Sequence, residues 1–169
     1  MAAGCAMNIQ MANPRPNVNI DKSTKTLALV FGSQVGDTFK VDNARPIRPA
    51  TVHDWHQTLK NGFTNAFGDS YKIVDGPADL VLTIKRAEPQ LVLAAYTTNG
   101  YGSMVSAAIT GHITYAADLS TRDGQVVARS AGTVRAKNTA MRASAGSQVL
   151  GDAVESMYET IAVDVFKTK

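Results

Sequence analysis

The stretch AAITGHITYAADL, residues 107–119, decides the fold. Residues of one parity in this stretch are predominantly apolar, namely Ala107, Ile109, Ile113, Tyr115, Ala117 and Leu119. The other parity carries small or polar side chains such as Thr110, His112, Thr114 and Asp118. Because side chains of a strand alternate between the two faces of a sheet, this pattern predicts a long antiparallel strand with one buried face.

The residues that follow predict a hairpin. Thr121-Arg-Asp-Gly124 contains the Asp-Gly pair typical of tight turns, with Asp123 and Gly124 both expected at positive φ. In the return strand, residues 125–137, one side carries Val126, Ala128, Val134 and Ala136. The other side carries Val127, Arg129, Ala131, Thr133, Arg135 and Lys137.

Two amphipathic helices flank this part of the chain. The first is predicted over residues 51–67, with Thr51 and Asp54 as a capping box and Gly68 as its end. The second is predicted over residues 148–166. Apolar residues recur at three- and four-residue steps in both, which gives each helix one stripe to bury.

Shorter apolar segments before the long strand predict the rest of the sheet. Residues 26–31, 37–41 and 71–74 are read as short strands, and residues 80–85 alternate like a half-buried strand that Pro89 interrupts. Because helices and hairpin cannot bury their apolar faces separately, we predict an α+β fold. Its antiparallel sheet of four to five strands carries both amphipathic helices on one face.

The N-terminal sequence predicts a membrane anchor. Ala3-Gly4-Cys5 resembles the end of a bacterial lipobox, in which cleavage precedes a cysteine that carries lipid. We therefore predict lipidation of Cys5, the single cysteine, with Met1 added after removal of a signal peptide. The alternative is an incidental cysteine in a flexible terminus. Ala6 stands where an Asp would resemble an inner-membrane retention signal, which favours the outer membrane by analogy.

Composition and spacing predict one domain behind this anchor. Residues 8–23 are rich in proline and asparagine, which favour an extended backbone, so residues 1–24 are predicted to be a flexible tether. Residues 25–169 then form a single α+β domain. With 169 residues, 44% of them hydrophobic, the chain is long enough for one core. Its net charge of +3 is too small to indicate a nucleic-acid partner.

No catalytic constellation is recognisable, so we predict that the protein is not an enzyme and binds no cofactor or metal. The chain lacks a Gly-x-Ser-x-Gly elbow, and Gly32-Ser-Gln-Val-Gly36 lacks the lysine and spacing of a phosphate loop. His53 and His56 lie three residues apart on the first helix and could share a metal, but no cysteine is near them in the sequence. We read both, and His112, as ordinary surface or partly packed side chains.

The return strand offers one candidate binding surface. Arg129, Arg135 and Lys137 share a parity and are expected to project from the same sheet face, with Lys85 and Arg86 on a neighbouring strand. Such a face would suit a phosphorylated glycolipid or an acidic partner. The alternative is a solvated face whose charges discourage edge-to-edge aggregation.

Three segments give the chain a resemblance to the YajG-like family of small bacterial envelope lipoproteins. They are NPRPNVN at 13–19, ADLVLTI at 78–84 and ASAGSQVLGDAVESM at 143–157. The resemblance implies an α+β lipoprotein without known enzymatic activity, lipid-anchored on the periplasmic face of the outer membrane.

Two functions remain open. The first is a non-catalytic interaction or scaffold module that stabilises a protein complex of the envelope. The second is direct binding of lipid, lipopolysaccharide or anionic polysaccharide, as in export accessory proteins. The sequence does not determine the partner or the oligomeric state.

Overall fold

A computed structural model describes residues 7–9, 12–41, 49–102, 104–141 and 146–166. The strands are β1 Met7–Ile9, β2 Thr26–Phe31, β3 Phe39–Val41, β4 Ala50–Val52, β5 Lys72–Ile73, β6 Leu80–Thr98, β7 Met104–Thr121 and β8 Val126–Arg135. The helices are α1 Trp55–Phe67 and α2 Gly146–Val165. The predicted α+β class and both predicted helices are confirmed, while Cys5 lies outside the described residues.

Five strands form the main sheet in the order β5-β2-β6-β7-β8. The predicted hairpin is confirmed, because β7 pairs antiparallel with both β6 and β8. However, β2 runs parallel to β5 and to β6, so the prediction of a purely antiparallel sheet is wrong. The chain passes through α1 between β2 and β5, and a helical crossover of this kind returns the next strand in the parallel direction.

The three short strands β1, β4 and β3 form a second sheet in which β1 and β4 are parallel. Val52, which we expected in the first turn of α1, is part of β4, and the helix begins at Trp55. Asp54 has φ 53° and makes no side-chain cap, so the predicted capping box is wrong. Asp37 supplies the cap instead: its Oδ1 accepts a hydrogen bond from the backbone N–H of His56 at 2.8 Å.

Pro89 does not interrupt the strand that contains it. Ala87, Pro89 and Leu91 pair with alternate residues of β7, and the Ala87 carbonyl accepts a bond from the Trp55 indole Nε1 on the side away from β7. Pro89 therefore presents its missing N–H to that same side, where β2 has already ended. A proline is tolerated in a strand at such an edge position.

Both helices cover one side of the main sheet. The helix α2 contacts β6, β7 and β8, and α1 contacts β2 and α2. Of the six β7 residues that we predicted to face inwards, five are buried and Ala107 is half-buried; the buried ones are Ile109, Ile113, Tyr115, Ala117 and Leu119. Among the described residues no helix covers the opposite, outer face of the sheet, where Lys85 and Arg129 are exposed.

The segment that we predicted to be a flexible tether is packed where it is described. Residues 12–20 lie along the two helices: the backbone N–H groups of Arg15 and Asn17 donate to Glu155 and Glu159 of α2, each at 2.8 Å. Pro14 and Pro16 are buried. The backbone N–H groups of Arg15 and Asn17 thus find carboxylate acceptors on α2, so residues 12–20 are packed and not a flexible tether.

Candidate functional site

An open cleft of about 510 Å³ lies on the outer face of the main sheet. Three adjacent segments build it: the loop after β2, the middle of β6 and one residue of β7. Its lining residues are Gly32, Ser33, Gln34, Thr83, Lys85, Arg86 and Ala116. The lining therefore combines two cations with hydroxyl and amide groups.

A bulge in β6 places the two cations side by side in the cleft. The register of β6 against β7 shifts between Ile84 and Arg86, so Lys85 is the extra residue of the bulge. A bulge breaks the alternation of side chains and turns consecutive residues towards the same region. The sequence pattern alone gives no sign of this irregularity.

Gly32 allows the loop to approach the bulge closely. A Cβ atom at this position would lie 3.1 Å from the Lys85 Cα and 3.4 Å from the Ile84 carbonyl oxygen. The Gly32 N–H donates to that same carbonyl at 2.8 Å. The loop of Gly32, Ser33 and Gln34 is thereby held against β6, and Gly32-Ser-Gln-Val-Gly36 is a turn, as predicted.

A carboxylate orients the basic side chains around the cleft. Asp118 of β7 forms an ion pair with Lys85, whose Nζ lies 2.8 Å from Asp118 Oδ2. Arg129 Nε of β8 lies 3.6 Å from the other oxygen, Asp118 Oδ1. Asp118 is only 13% exposed, whereas Lys85 and Arg129 are 55% and 73% exposed. The single Asp118 carboxylate thus restrains both Lys85 and Arg129, and the three groups together carry a net positive charge.

The neighbouring cation is paired in a similar way. Arg86 Nη2 donates to Glu88 Oε2 at 2.6 Å. This hydrogen bond lowers the pKa of Glu88 and raises the pKa of Arg86, so both groups stay charged at neutral pH. Because both side chains are well exposed, the pair contributes little to the stability of the fold.

The structure separates the three residues that we predicted as one basic surface. Arg129 joins Lys85 and Asp118 at the cleft. Arg135 is six residues further along β8, about 20 Å away, opposite His112. Lys137 lies beyond the end of β8 and turns to α2, where its Nζ is 2.7 Å from Glu159 Oε1, which raises the pKa of Lys137. The prediction that Lys137 projects with the two arginines is wrong, because the strand pairing ends at Arg135.

Of the two histidines predicted on the first helix, His53 precedes α1 and is exposed, whereas His56 lies on α1 and has structural partners. His56 stacks on Phe31, with ring centroids 4.4 Å apart, and its Nε2 lies 2.7 Å from the Val35 carbonyl oxygen. No group of three metal-ligating side chains occurs within the described ranges. Ser130, which the sequence did not single out, is buried and donates to Asp164 of α2, linking β8 to the helix.

His112 provides a pH-dependent contribution to stability. Partial burial, and then the charge of Arg135, lower its pKa below the ordinary value of 6.5. The folded state therefore favours neutral His112, so this contribution is complete above pH 6.5 and is lost as the pH falls through the lowered pKa.

We expect His112→Gln to reduce the loss of stability on acidification. The measurement is the urea midpoint of both proteins at about pH 7.5 and about pH 5, since the window lies below the unfolded-state pKa. Equal acid-induced losses in the two proteins would show that His112 does not carry the effect.

No family model matches the chain, and no curated protein matches it. The fold does have solved counterparts. A Xanthomonas campestris protein of the DUF330 family superposes with a TM-score of 0.52, covering 92% of each chain at 17% identity. This likeness shows a shared fold.

Two further similar structures are bacterial lipoproteins. A minor lipoprotein from Acinetobacter baumannii covers 84% of this chain and 90% of its own, with 12% identity and a TM-score of 0.48. An uncharacterised lipoprotein B from Nitrosomonas europaea covers 85% of each chain, with 9% identity and a TM-score of 0.46. In the described part of the present chain, neither helix is long and apolar enough to span a membrane.

Proposed function

We propose that this chain is a non-catalytic envelope lipoprotein that binds an anionic group, a phosphate or a carboxylate, in the outer-face cleft. The cleft beside Lys85 and Arg86 is the observation that carries the proposal. The Ala3-Gly4-Cys5 sequence supports the lipid anchor, the periplasmic face of the outer membrane is the proposed location, and the YajG-like family is the proposed relationship.

The charges around the cleft favour an anion. Lys85, Arg86 and Arg129 carry three positive charges, and Asp118 and Glu88 carry two negative charges. Ion pairs also restrain the cations before a ligand arrives, which reduces the entropy that binding must remove. Arginine can offer two parallel N–H donors to a phosphate or carboxylate, so Arg86 is well suited to this contact.

The dimensions and lining of the cleft fit a head group or a short stretch of acidic glycan. Its volume of about 510 Å³ lies within the range of small-molecule sites. Ser33, Gln34 and Thr83 add uncharged donors and acceptors for hydroxyl groups around the anion. Binding rather than catalysis is proposed because the lining residues include no histidine, cysteine or carboxylate to serve as a base.

The test of this proposal is the affinity of the chain for anionic vesicles. We expect Lys85→Gln/Arg86→Gln to weaken binding to phosphatidylcholine vesicles containing phosphatidylglycerol by about 10- to 30-fold, since each basic residue near an anionic surface contributes about 1 kcal/mol. Binding is measured by co-sedimentation at fixed ionic strength, because salt screens such contacts.

A matched variant separates the cleft from general charge attraction. Lys25→Gln/Lys72→Gln also removes two positive charges, but at the opposite end of β2, where Lys72 pairs with Thr26. We expect this control to bind within about threefold of the wild type. If both double variants lose affinity equally, the attraction is nonspecific and the cleft is not the site.

A further inference from the structure

The hairpin of β6 and β7 extends beyond the rest of the sheet. Pairing of β2 with β6 ends at Ile84, and pairing of β8 with β7 ends at His112, followed by an isolated bridge between Ile109 and Ala140. The described residues from 93 to 107 therefore form a two-stranded ribbon. Two-stranded hairpins are marginally stable by themselves, so such a ribbon gains from additional pairing.

The ribbon is uncharged and largely exposed. Residues 89–111 contain no acidic, basic or histidine side chain. Residues 94–102 are exposed, with Tyr96 at 58% and Tyr101 at 96%. Outer strands normally carry charges that discourage pairing with another chain, as β8 does with Arg129 and Arg135. Along the ribbon no charged side chain has this role.

Among the described residues, no strand pairs with the edge of β6 that faces away from β7 in the ribbon, and we call this the open edge. Ile109 exchanges two hydrogen bonds with Ala140, at 2.8 and 2.9 Å, on the side of β7 away from β6. Its partner Leu93 therefore points its own N–H and C=O away from β7, because the backbone groups of paired antiparallel residues alternate together. Ala107 is two residues from Ile109 and therefore also points its backbone groups away from β6. Its partner Tyr96 accordingly points its N–H and C=O to the open edge of β6.

We propose that this open β6 edge pairs with the same edge of a second copy of the chain. Antiparallel pairing about a twofold axis near Tyr96 would join the two ribbons into a four-stranded sheet, in which residue i of one copy faces residue j of the other and j faces i. An uncharged edge is complementary to itself, because no like charges meet across the axis. The proposal is independent of the anion site and concerns a different part of the molecule.

A lipid bilayer fits the ribbon less well. Its described turn, Asn99, Gly100, Tyr101 and Gly102, carries a single large apolar side chain, that of Tyr101. Its open edge would bring unpaired backbone N–H and C=O groups into hydrocarbon, and each such group costs several kcal/mol there. A second strand satisfies these groups directly.

The oligomeric state of the full chain tests this inference. All proteins carry Cys5→Ser so that a disulfide at Cys5 cannot mimic the dimer. We expect the parent to dimerise at micromolar concentration, and Ala95→Lys/Tyr96→Lys to raise the dimer dissociation constant at least about tenfold, because lysines on successive strand residues place charge on both faces. The measurement is sedimentation equilibrium, with circular dichroism to confirm folding.

The control places lysine on the other long edge strand. Ala131→Lys substitutes an exposed residue of β8 and is expected to change the dimer constant less than about twofold. A parent that stays monomeric at about 200 µM, or a dimer that resists the ribbon lysines, would overturn the inference.

Cross-linking adds a readout that does not depend on affinity. Tyr96 is the middle residue of the exposed β6 segment 94–98, so its two copies would meet near the twofold axis. Tyr96→Cys in the Cys5→Ser protein should therefore form disulfide-linked dimers under mild oxidation, whereas Ala131→Cys should not. Binding of a monomeric parent to neutral vesicles that requires Tyr96 and Tyr101 would instead identify a membrane contact and refute the dimer.

Discussion

Gly111→Ala is expected to destabilise the fold by about 3 kcal/mol, at the upper end of overpacking effects. Gly111 lies on the inner face of β7, where α2 crosses the sheet. An added Cβ would lie 2.4 Å from the Val149 carbonyl oxygen and 2.7 Å from its carbon. These are backbone atoms of a helix, so relieving the overlap requires α2 to move off the sheet.

The measurement is urea unfolding followed by circular dichroism. The matched control is Gly132→Ala on β8, where the new Cβ would meet only the Tyr115 ring at 3.9 Å, an ordinary contact distance. We expect that control to change stability by less than about 0.5 kcal/mol. If Gly111→Ala were as stable as Gly132→Ala, the close approach of α2 to β7 would be incorrect.

Trp55→Ala is the second substitution with a large expected effect, a loss of about 3–5 kcal/mol. The Trp55 side chain is 1% exposed and packs edge-on against Phe39, with ring centroids 6.4 Å apart. Its Nε1 donates to the Ala87 carbonyl at 2.8 Å, one residue beyond Arg86. The alanine variant loses a large buried ring and the only bond we find to that carbonyl among the described side chains.

Trp55→Phe separates packing from hydrogen bonding. It keeps most of the apolar volume but leaves the buried Ala87 carbonyl without its donor, which costs about 1–3 kcal/mol. Because Trp55 holds β6 next to the cleft, we also expect Trp55→Phe to weaken vesicle binding more than Gly132→Ala does. Thermal unfolding gives the order of stability, and equal stability of the alanine and phenylalanine variants would contradict this account of the core.

The central hairpin could be predicted from the sequence because the signals for it, the alternation along β7 and the turn residues after it, lie within one short stretch. Alternation along β7 requires only that one face be buried, and the observed inner residues follow it from Ile109 to Leu119. The turn was nearly correct as well: Gly124 has φ 87°, but Asp123 does not adopt positive φ, because the register shift at Ser120 makes this a bulged hairpin.

The direction of pairing between strands that are distant in the sequence could not be predicted from local alternation. Whether β2 runs parallel or antiparallel to β6 does not alter its apolar pattern, and the direction depends on the path of the chain through α1. The proline-rich segment shows the same limit. Its composition gives no indication of its contacts with Glu155 and Glu159, which join residues 140 or more positions apart.

The candidate site was predicted only in part. Arg129 and the neighbouring Lys85 and Arg86 were recognised as basic, and Asp118 was placed on the same polar parity of β7. Their assembly depends on the bulge at Lys85 and on the close approach of Gly32, and neither leaves a periodic signal. A glycine and a serine directly after β2 are a weak sign of a loop that contacts its neighbour strand.

An NMR titration of the uniformly ¹⁵N-labelled full chain with inorganic phosphate tests the central claim most directly. The anion site predicts that amide signals of Ser33, Gln34, Lys85 and Arg86 shift together and saturate with one dissociation constant. In Lys85→Gln/Arg86→Gln these shifts should disappear, while Lys25→Gln/Lys72→Gln retains them. Small shifts that spread over all basic residues, never saturate and persist in the cleft variant would contradict an anion site in this cleft.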